Sequence, residues 1–290
     1  ATSAGGTKKI GKFKYREVSP ENRPDFFTFD MDVNQLETLV RGKIPSLDDF
    51  LPDLEVKLAK LRSILYSIKL VEDVATNAVW HEGRVQCIME LFLNYTFETC
   101  ASNLEARAAN KDLIEFSIEN ANNVEEKWSG FSDLKCCIKT GDYDDIHKAV
   151  STLEMKVPFG NSEPKLYHSK AMQPKQQLLG QAIGLLSDRP YTLSYLTDMF
   201  AISVMHFVPG KALLSSRVTC ARTFCLFLLL MCCEISVADF DSLVSARTVC
   251  EVDLKDEEET EGVVGCDAGL DSSGLVCGSL DCDEEAEHNR

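Results

Sequence analysis

The chain has 290 residues, 44% of them hydrophobic and 8% aromatic, which is typical of a folded globular protein and excludes fibrous or wholly disordered classes. Its formal net charge is −16, but residues 251–290 hold 14 acidic residues against Lys255 and Arg290, a local balance of −12 that leaves −4 for residues 1–250. The overall acidity therefore does not exclude a nucleic-acid partner for the body of the chain.

The twelve cysteines are scattered and include no CxxC pair, which argues against zinc-ribbon and thioredoxin-like classes and favours reduced thiols in a cytosolic or nuclear compartment. The opening residues contain no apolar segment typical of a signal peptide. The most apolar run, Phe224–Cys233, is too short to span a bilayer, so we expect a buried helix there and no membrane partner.

The first part of the chain predicts a polar lead-in followed by helices. Residues 1–30 are basic and punctuated by Gly and Pro, which indicates a loose segment. Residues 31–79 predict a helical extension, with a short helix over 33–41 and a long amphipathic one after it. A further helix is predicted after Gly83. The apolar positions that carry the last two predictions are Leu54, Leu58, Leu61, Leu65, Ile68 and Val71, then Val85, Ile88, Met89, Phe92 and Tyr95.

The pattern then changes to short segments rich in β-forming residues, which predict three strands over 113–119, 131–139 and 150–159. A turn-like stretch at 141–145 suits a hairpin between the last two. Helical spacing returns at 175–187, which predicts a helix. Residues 196–208 predict another strand, and residues 219–237 predict a final helix. Residues 251–290 have the composition of a disordered acidic tail. We therefore expect an α/β domain over 80–250 with a mixed central sheet, most of it within 80–207, and a C-terminal helix.

Two acidic residues occupy matching points of the predicted hairpin. Asp133 lies near the start of the second strand, and Glu154 lies two residues before Lys156 on the third, so the latter two share one face. Carboxylates held close together repel unless a cation or a proton lies between them. Mg²⁺ (or Mn²⁺) accepts such oxygen ligands while keeping positions for water and phosphate oxygens. The lysine beside them would stabilise developing negative charge.

Three further side chains are candidates for the same site. Glu90, on the helix before the first predicted strand, would add a third carboxylate as a metal ligand or through water. Gln177 and Gln181 lie one turn apart on the next helix, where an amide would hold the lysine or a phosphate. Taken alone, Asp133 is better explained as a turn or strand-end carboxylate and Glu90 as a solvated one, and Glu and Lys two apart occur by chance on many strands. The two glutamines suit a site and the surface equally well. Taken together, the positions of these residues along the predicted elements favour a metal-binding active site.

These residues resemble the PD-(D/E)XK, or restriction-endonuclease-like, superfamily, whose core has the order α-β-β-β-α-β. Glu90, Asp133, Glu154-Met155-Lys156 and Gln177 or Gln181 match its site pattern, although Ser132 stands where the superfamily usually has proline. The resemblance implies a restriction-endonuclease-like fold and hydrolysis of phosphodiesters, with DNA as the expected substrate.

A narrower resemblance is to the C-terminal nuclease domain of Crinkler effectors, which oomycetes and some fungi deliver into host cells. It covers about residues 35–245 and rests on these segments: HEGRVQCIMELFLNY, DLIEFSIEN, GFSDLKC, LEMKVPF, KQQLLGQ and LTDMFAISVMHF. It implies a secreted virulence factor acting inside host cells, in the nucleus. The family's translocation segment and P-loop domain have no counterpart in this sequence.

Other roles remain open at this stage. The alternative function is a catalytically silent nuclease fold that binds a host nuclear protein or DNA, and the 31–79 helices could instead serve oligomerisation. Lys165, Lys170 and Lys175 lie between the third strand and the glutamine helix, where a nucleic-acid backbone would pass; a solvated loop explains them equally well. The cofactor expected is Mg²⁺ or Mn²⁺, and the partner nucleic acid.

Overall fold

A computed structural model describes residues 6–75, 82–109, 111–139, 146–156, 172–186, 189–233, 235–244 and 250–251. The strands are β1 (Lys8–Lys9), β2 (Asp25–Phe29), β3 (Leu104–Ala108), β4 (Ile114–Glu119), β5 (Glu125–Gly130), β6 (Leu134–Ile138), β7 (Ser151–Met155), β8 (Thr192–Thr197), β9 (Ile202–Val208), β10 (Lys211–Ser215) and β11 (Cys250–Glu251). The helices are α1 (Val33–Lys43), α2 (Leu47–Ala75), α3 (Glu82–Thr99), α4 (Met172–Leu185), α5 (Ala221–Leu229) and α6 (Val237–Leu243), with short 3-10 turns at Ile10–Lys12, Tyr15–Glu17, Ile146–Lys148 and Leu230–Cys232. These elements all belong to one unit, Ala1–Leu254.

The centre of the unit is an eight-stranded mixed sheet in the order β11-β2-β10-β9-β8-β7-β6-β3. From the β3 edge inward, β3, β6 and β7 are antiparallel neighbours, β7 and β8 are parallel, and β8 and β9 are antiparallel. Parallel neighbours need a crossover connection, and α4 lies in the chain between β7 and β8. The prediction of an α/β class with a mixed sheet, and of a hairpin between the second and third predicted strands, is confirmed.

Apolar residues cover both faces of this sheet. Buried side chains from α1, α2, α3, α5 and α6 join Leu134 and Leu153 in one core cluster. Leu178, Leu179 and Ala182 of α4 belong to the other cluster, on the opposite face. Alternate residues of a strand point to opposite faces, so Cys136 lies in the first cluster and Cys137 in the second. Among the described residues, no helix combines the length and hydropathy needed to cross a bilayer.

The first predicted strand is present, but its assignment to the main sheet was wrong. Residues 114–119 do form a strand, but it pairs with β5 in a separate three-stranded sheet of order β1-β5-β4. A tight turn closes this hairpin, with Asn123 at a φ of 58°. The first strand of the main sheet in this region is β3, between α3 and β4. A run of β-forming residues predicts a strand, but its sheet is set by contacts distant in sequence.

The single strand predicted over 196–208 is two strands. β8 ends at Thr197 and β9 begins at Ile202, with the Asp198 carboxylate accepting hydrogen bonds from the N–H groups of Phe200 and Ala201. Such a local side-chain contact stabilises a turn, as Asp commonly does. The helix predicted over 219–237 likewise divides into α5, a 3-10 turn and α6, which begins after a Ser236 capping box.

The N-terminal residues are more ordered than the predicted loose lead-in. Ile10, Phe13, Phe26 and Phe29 are buried, and β2 pairs in parallel with β10. The helices predicted within 31–79 and after Gly83 are present as α1, α2 and α3. The predicted hairpin connection at 141–145 and the acidic tail beyond Glu251 lie outside the described residues.

Candidate active site

The candidate site is built around the carboxylate of Glu154 on β7. All five residues of this strand are buried, and Leu153 and Met155 point into the core cluster that contains α3. Because side chains alternate along a strand, Glu154 points to the face covered by α4. Only 3% of Glu154 is exposed. Burying a carboxylate is costly unless donors and a cation replace its water, so its partners need to be found in the protein.

Three donors converge on this carboxylate. Lys156 donates from Nζ to Glu154 Oε1 at 2.5 Å, and Gln177 donates from Nε2 to the same oxygen at 2.5 Å. Gln181 donates from Nε2 to Oε2 at 2.7 Å. The lysine shares a strand face with Glu154, and the two amides lie four residues apart on one face of α4. The structure therefore brings together four of the predicted residues.

Asp133 comes directly before the neighbouring strand β6. The antiparallel pairing of β6 with β7 begins at Leu134, which is opposite Leu153. Asp133 Oδ2 accepts a hydrogen bond from the backbone N–H of Met155 at 2.6 Å. The hydroxyl of Ser132 donates to the carbonyl of Leu153 at 2.8 Å. Both contacts fix the end of β6 against β7.

Two backbone contacts link the site to its surroundings. The N–H of Lys156 donates to the Thr197 carbonyl at 2.9 Å, which holds the residue beside the end of β8. Gln181 also donates to the Phe131 carbonyl at 2.9 Å, which ties the segment before Asp133 to α4. The side chains of the site thus come from two strand ends and one helix whose relative positions are fixed by hydrogen bonds.

Glu90 lies apart from this group. Its charged neighbours are Arg107 and Glu105 of the edge strand β3, and burial raises the pKa of its carboxyl, with Arg107 opposing that shift and Glu105 adding to it. On the same helical face, one turn earlier, Gln86 donates to the Asp133 carbonyl at 2.7 Å. No described contact joins Glu90 to Glu154. Gln86 was not predicted from the sequence, although its i−4 position relative to Glu90 was a usable signal.

One of the three lysines predicted to contact nucleic acid lies within the described residues. Lys165 and Lys170 lie outside the described residues. Lys175 is half-buried on α4, and burial lowers the pKa of its ammonium group. It stands two residues before Gln177 and therefore on a different side of the helix.

Two carboxylates, those of Asp133 and Glu154, belong to this group of side chains. Within the described part of the chain, no group of three or more His, Cys, Asp or Glu side chains is placed to hold a metal ion. Magnesium, however, commonly takes one or two carboxylates and completes its shell with water and phosphate oxygens. A pair of carboxylates is within that number.

In comparisons with known proteins, no family model and no curated protein matches the chain.

Proposed function

We propose that the protein is a metal-dependent nuclease that hydrolyses phosphodiester bonds, with DNA as its substrate and Mg²⁺ or Mn²⁺ as its cofactor. One observation carries the proposal: a buried glutamate on β7 is held by a lysine two residues away and by two amides of α4, beside an aspartate at the end of β6. A buried carboxylate with a cationic neighbour at one end of a sheet is a frequent arrangement in functional sites.

The order of elements supports placing this site in a restriction-endonuclease-like core. Helix α3, strands β3, β6 and β7, helix α4 and strand β8 follow one another with only the β4-β5 hairpin inserted, and the four strands are adjacent in the main sheet. This matches the α-β-β-β-α-β order that the resemblance implied. The Crinkler-type role, as a secreted effector acting in the host nucleus, is proposed on the sequence resemblance alone.

Each side chain has a defined task in this proposal. Asp133 and Glu154 hold the metal ion, which when bound supplies a Lewis acid for phosphoryl oxygens. Lys156 places its ammonium group beside the reacting phosphate, where it stabilises negative charge as it develops. Gln177 and Gln181 keep the Glu154 carboxylate oriented. Glu90 contributes through water rather than as a direct ligand, because its described neighbours are on β3.

Cleavage of supercoiled plasmid DNA with Mg²⁺ or Mn²⁺ tests the proposal. Asp133→Asn, Glu154→Gln and Lys156→Met should each lower the rate at least about a hundredfold, the usual effect of removing one electrostatic contact to a transition state. Glu115→Gln and Lys139→Met make the same chemical changes at exposed positions away from the site and should cut like wild type. Equal cutting by all five variants would assign the activity to a contaminant and refute the proposal.

The alternative is a catalytically silent nuclease fold that captures a host protein or DNA. Calorimetric titration with Mg²⁺ separates the two, because a competent site should bind the ion in a way that Asp133→Asn and Glu154→Gln abolish. If wild type and both variants give the same heats, and plasmid stays uncut, the silent fold is the better description.

A further inference from the structure

A cleft lined mainly by lysines lies on the α4 face of the sheet. Its volume is about 510 Å³, and its lining residues are Lys8, Lys9, Lys12, Lys14, Glu17 and Trp128. Four lysines outnumber the two neighbouring glutamates, Glu17 and Glu126, so this surface is positively charged on a chain whose formal net charge is −16. Clustered like charges repel one another unless an anion offsets them. We refer to these six residues as the lysine cleft.

The cleft has a rigid base because apolar residues alternate with its lysines. Ile10 and Phe13 are buried, and β1 pairs in parallel with β5 at Trp128. The Phe13 ring packs edge-on against the Trp128 ring at a centroid distance of 5.1 Å. The Lys8 ammonium lies 5.1 Å from the centroid of the same indole. The lysines therefore project from a fixed wall, so an anion binding there would not have to order a flexible segment.

Two of the four lysines are already paired with carboxylates, and two are not. Lys8 contacts Glu126 at 2.7 Å and Glu17 at 3.7 Å, and Lys14 contacts Glu17 at 3.8 Å. Lys9 and Lys12 are exposed and form no ion pair within the described part of the chain. These two ammonium groups are the ones most available to an external anion.

The N-terminal segment that carries the lysine cleft packs against α4, the helix that also supplies Gln177 and Gln181. On one side of this helix, Gln176 accepts a hydrogen bond from the backbone N–H of Tyr15 at 3.1 Å, and Gly180 lies against Ile10 and Phe13. The next residue after each, Gln177 and Gln181, donates to Glu154. The side of α4 that contacts the N-terminal segment is therefore next to the side that reaches Glu154.

Two exposed lysines on a fixed wall suit the phosphates of a polynucleotide, whose negative charges repeat about every 3.4 Å along each strand. We propose that the lysine cleft binds the phosphate backbone of the nucleic acid substrate, through Lys9 and Lys12 above all. The inference rests on the proposed nuclease function and specifies how its substrate is held.

Binding measured without cleavage tests this directly. Fluorescence anisotropy of a short labelled DNA duplex is followed in EDTA, at salt concentrations from about 50 to about 200 mM. For Lys9→Ala/Lys12→Ala, affinity should fall about tenfold or more, and the plot of log K against log salt should become shallower by about 2, since each phosphate contact contributes about 0.9. Lys43→Ala/Lys60→Ala removes two charges from exposed positions of α1 and α2 and should bind with the wild-type slope.

The outcomes separate the two proposals. An unchanged slope and affinity in Lys9→Ala/Lys12→Ala would overturn the cleft assignment even if the wild type cuts plasmid. A shallower slope in a protein that never cuts would keep the cleft and refute the nuclease. Polyglutamate that displaces the duplex as well as unlabelled DNA does would refute a nucleic-acid site in favour of a general polyanion surface. Matching circular dichroism spectra for the variants establish that folding is intact.

Discussion

Gln181 shows how strongly a single residue is committed to the candidate site. It is fully buried on α4 among Leu178, Leu179 and Ala182, where an apolar side chain would be the ordinary choice. Its Nε2 donates hydrogen bonds to both Glu154 and the Phe131 carbonyl, while its Oε1 is buried without a hydrogen-bond partner. Leaving a polar atom unpaired costs about 1–3 kcal/mol, so the amide is retained at a cost to stability. Such a cost is common at functional sites.

Local periodicity was enough to group most of the site residues. Residues two apart on a strand, or four apart on a helix, lie on the same face of that element. For this reason Glu154 with Lys156, and Gln177 with Gln181, were predicted to share faces. The same periodicity could suggest the register between β6 and β7 but could not determine it, because that register depends on the hairpin connection. The Asp133 contact to the Met155 N–H, and the placement of Glu90 beside β3, depend on tertiary geometry that the sequence does not encode locally.

His206 is a buried residue whose titration should be measurable. It is 2% exposed on β9, stacks on Phe240 at a centroid distance of 4.2 Å, and has a buried Nε2 without a partner. Burial lowers its pKa from 6.5 to about 4; the Asp241 carboxylate opposes this shift to a smaller extent, and the Lys211 ammonium group adds to it. Between those pH values the unfolded chain binds a proton that the folded one does not, so acidification destabilises the fold.

The His206→Phe variant should lose this dependence. Relative to wild type, its free energy of unfolding should rise steadily as the pH falls from about 6.5 to about 4, by about 3 kcal/mol at the lower end. Urea unfolding at a series of pH values measures the difference directly, and titrations common to both proteins cancel. A difference that stays constant across this window would show that His206 titrates normally in the folded protein.

At the scale of elements, the edge strand β3 depends on a helix for its hydrogen bonds. The Asn94 side chain of α3 accepts from the Ala106 N–H at 2.8 Å and donates to the Ala106 carbonyl at 3.1 Å, as a neighbouring strand would. This explains why β3 was missed from the sequence. The strand has the sequence LEARA, with few β-forming residues, and part of its stabilisation comes from α3. The strong β pattern of residues 114–119 predicted a strand correctly but assigned it to the wrong sheet.

Asn94→Ala should loosen this edge specifically. Removing both hydrogen bonds leaves the buried backbone groups of Ala106 unpaired, which costs about 1–3 kcal/mol. Hydrogen exchange followed by NMR or mass spectrometry should show faster exchange at Ala106 than in wild type. Asn34→Ala, the same change at an exposed position of α1, should leave that amide as protected as before. Unaltered protection at Ala106 in Asn94→Ala would mean that β6 alone holds the strand.

For the whole molecule, the two faces of the central sheet are covered by different parts of the chain. Helices from residues 33–99 and 221–243 cover one face, whereas α4, the β4-β5 hairpin and the N-terminal segment cover the other. The second arrangement was not predictable from local patterns. Between Gly5 and Pro24 the apolar residues are separated by lysines, so no local pattern marks them as core residues. They are buried because they pack against apolar residues more than a hundred positions away in the sequence.

Phe13 is the residue on which this second face most depends. It is fully buried and packs edge-on against Trp128 at 5.1 Å and Phe116 at 5.9 Å, so it joins the N-terminal segment to the hairpin. A β-carbon placed on Gly180 would lie 3.2 Å from its ring, which shows how closely α4 approaches. One side chain thus connects three elements that meet beside the candidate site.

Phe13→Ala should lower the free energy of unfolding by about 3–5 kcal/mol, the usual cost of replacing a buried Phe by Ala. Phe131→Ala removes the same ring from a position where 47% of the residue is exposed, and should cost about 1 kcal/mol or less. Urea unfolding followed by circular dichroism gives both values. Because α4 supplies Gln177 and Gln181, Phe13→Ala should also weaken plasmid cleavage at temperatures where the protein remains folded. A cost near that of Phe131→Ala would show that the N-terminal segment adds little to this face of the fold.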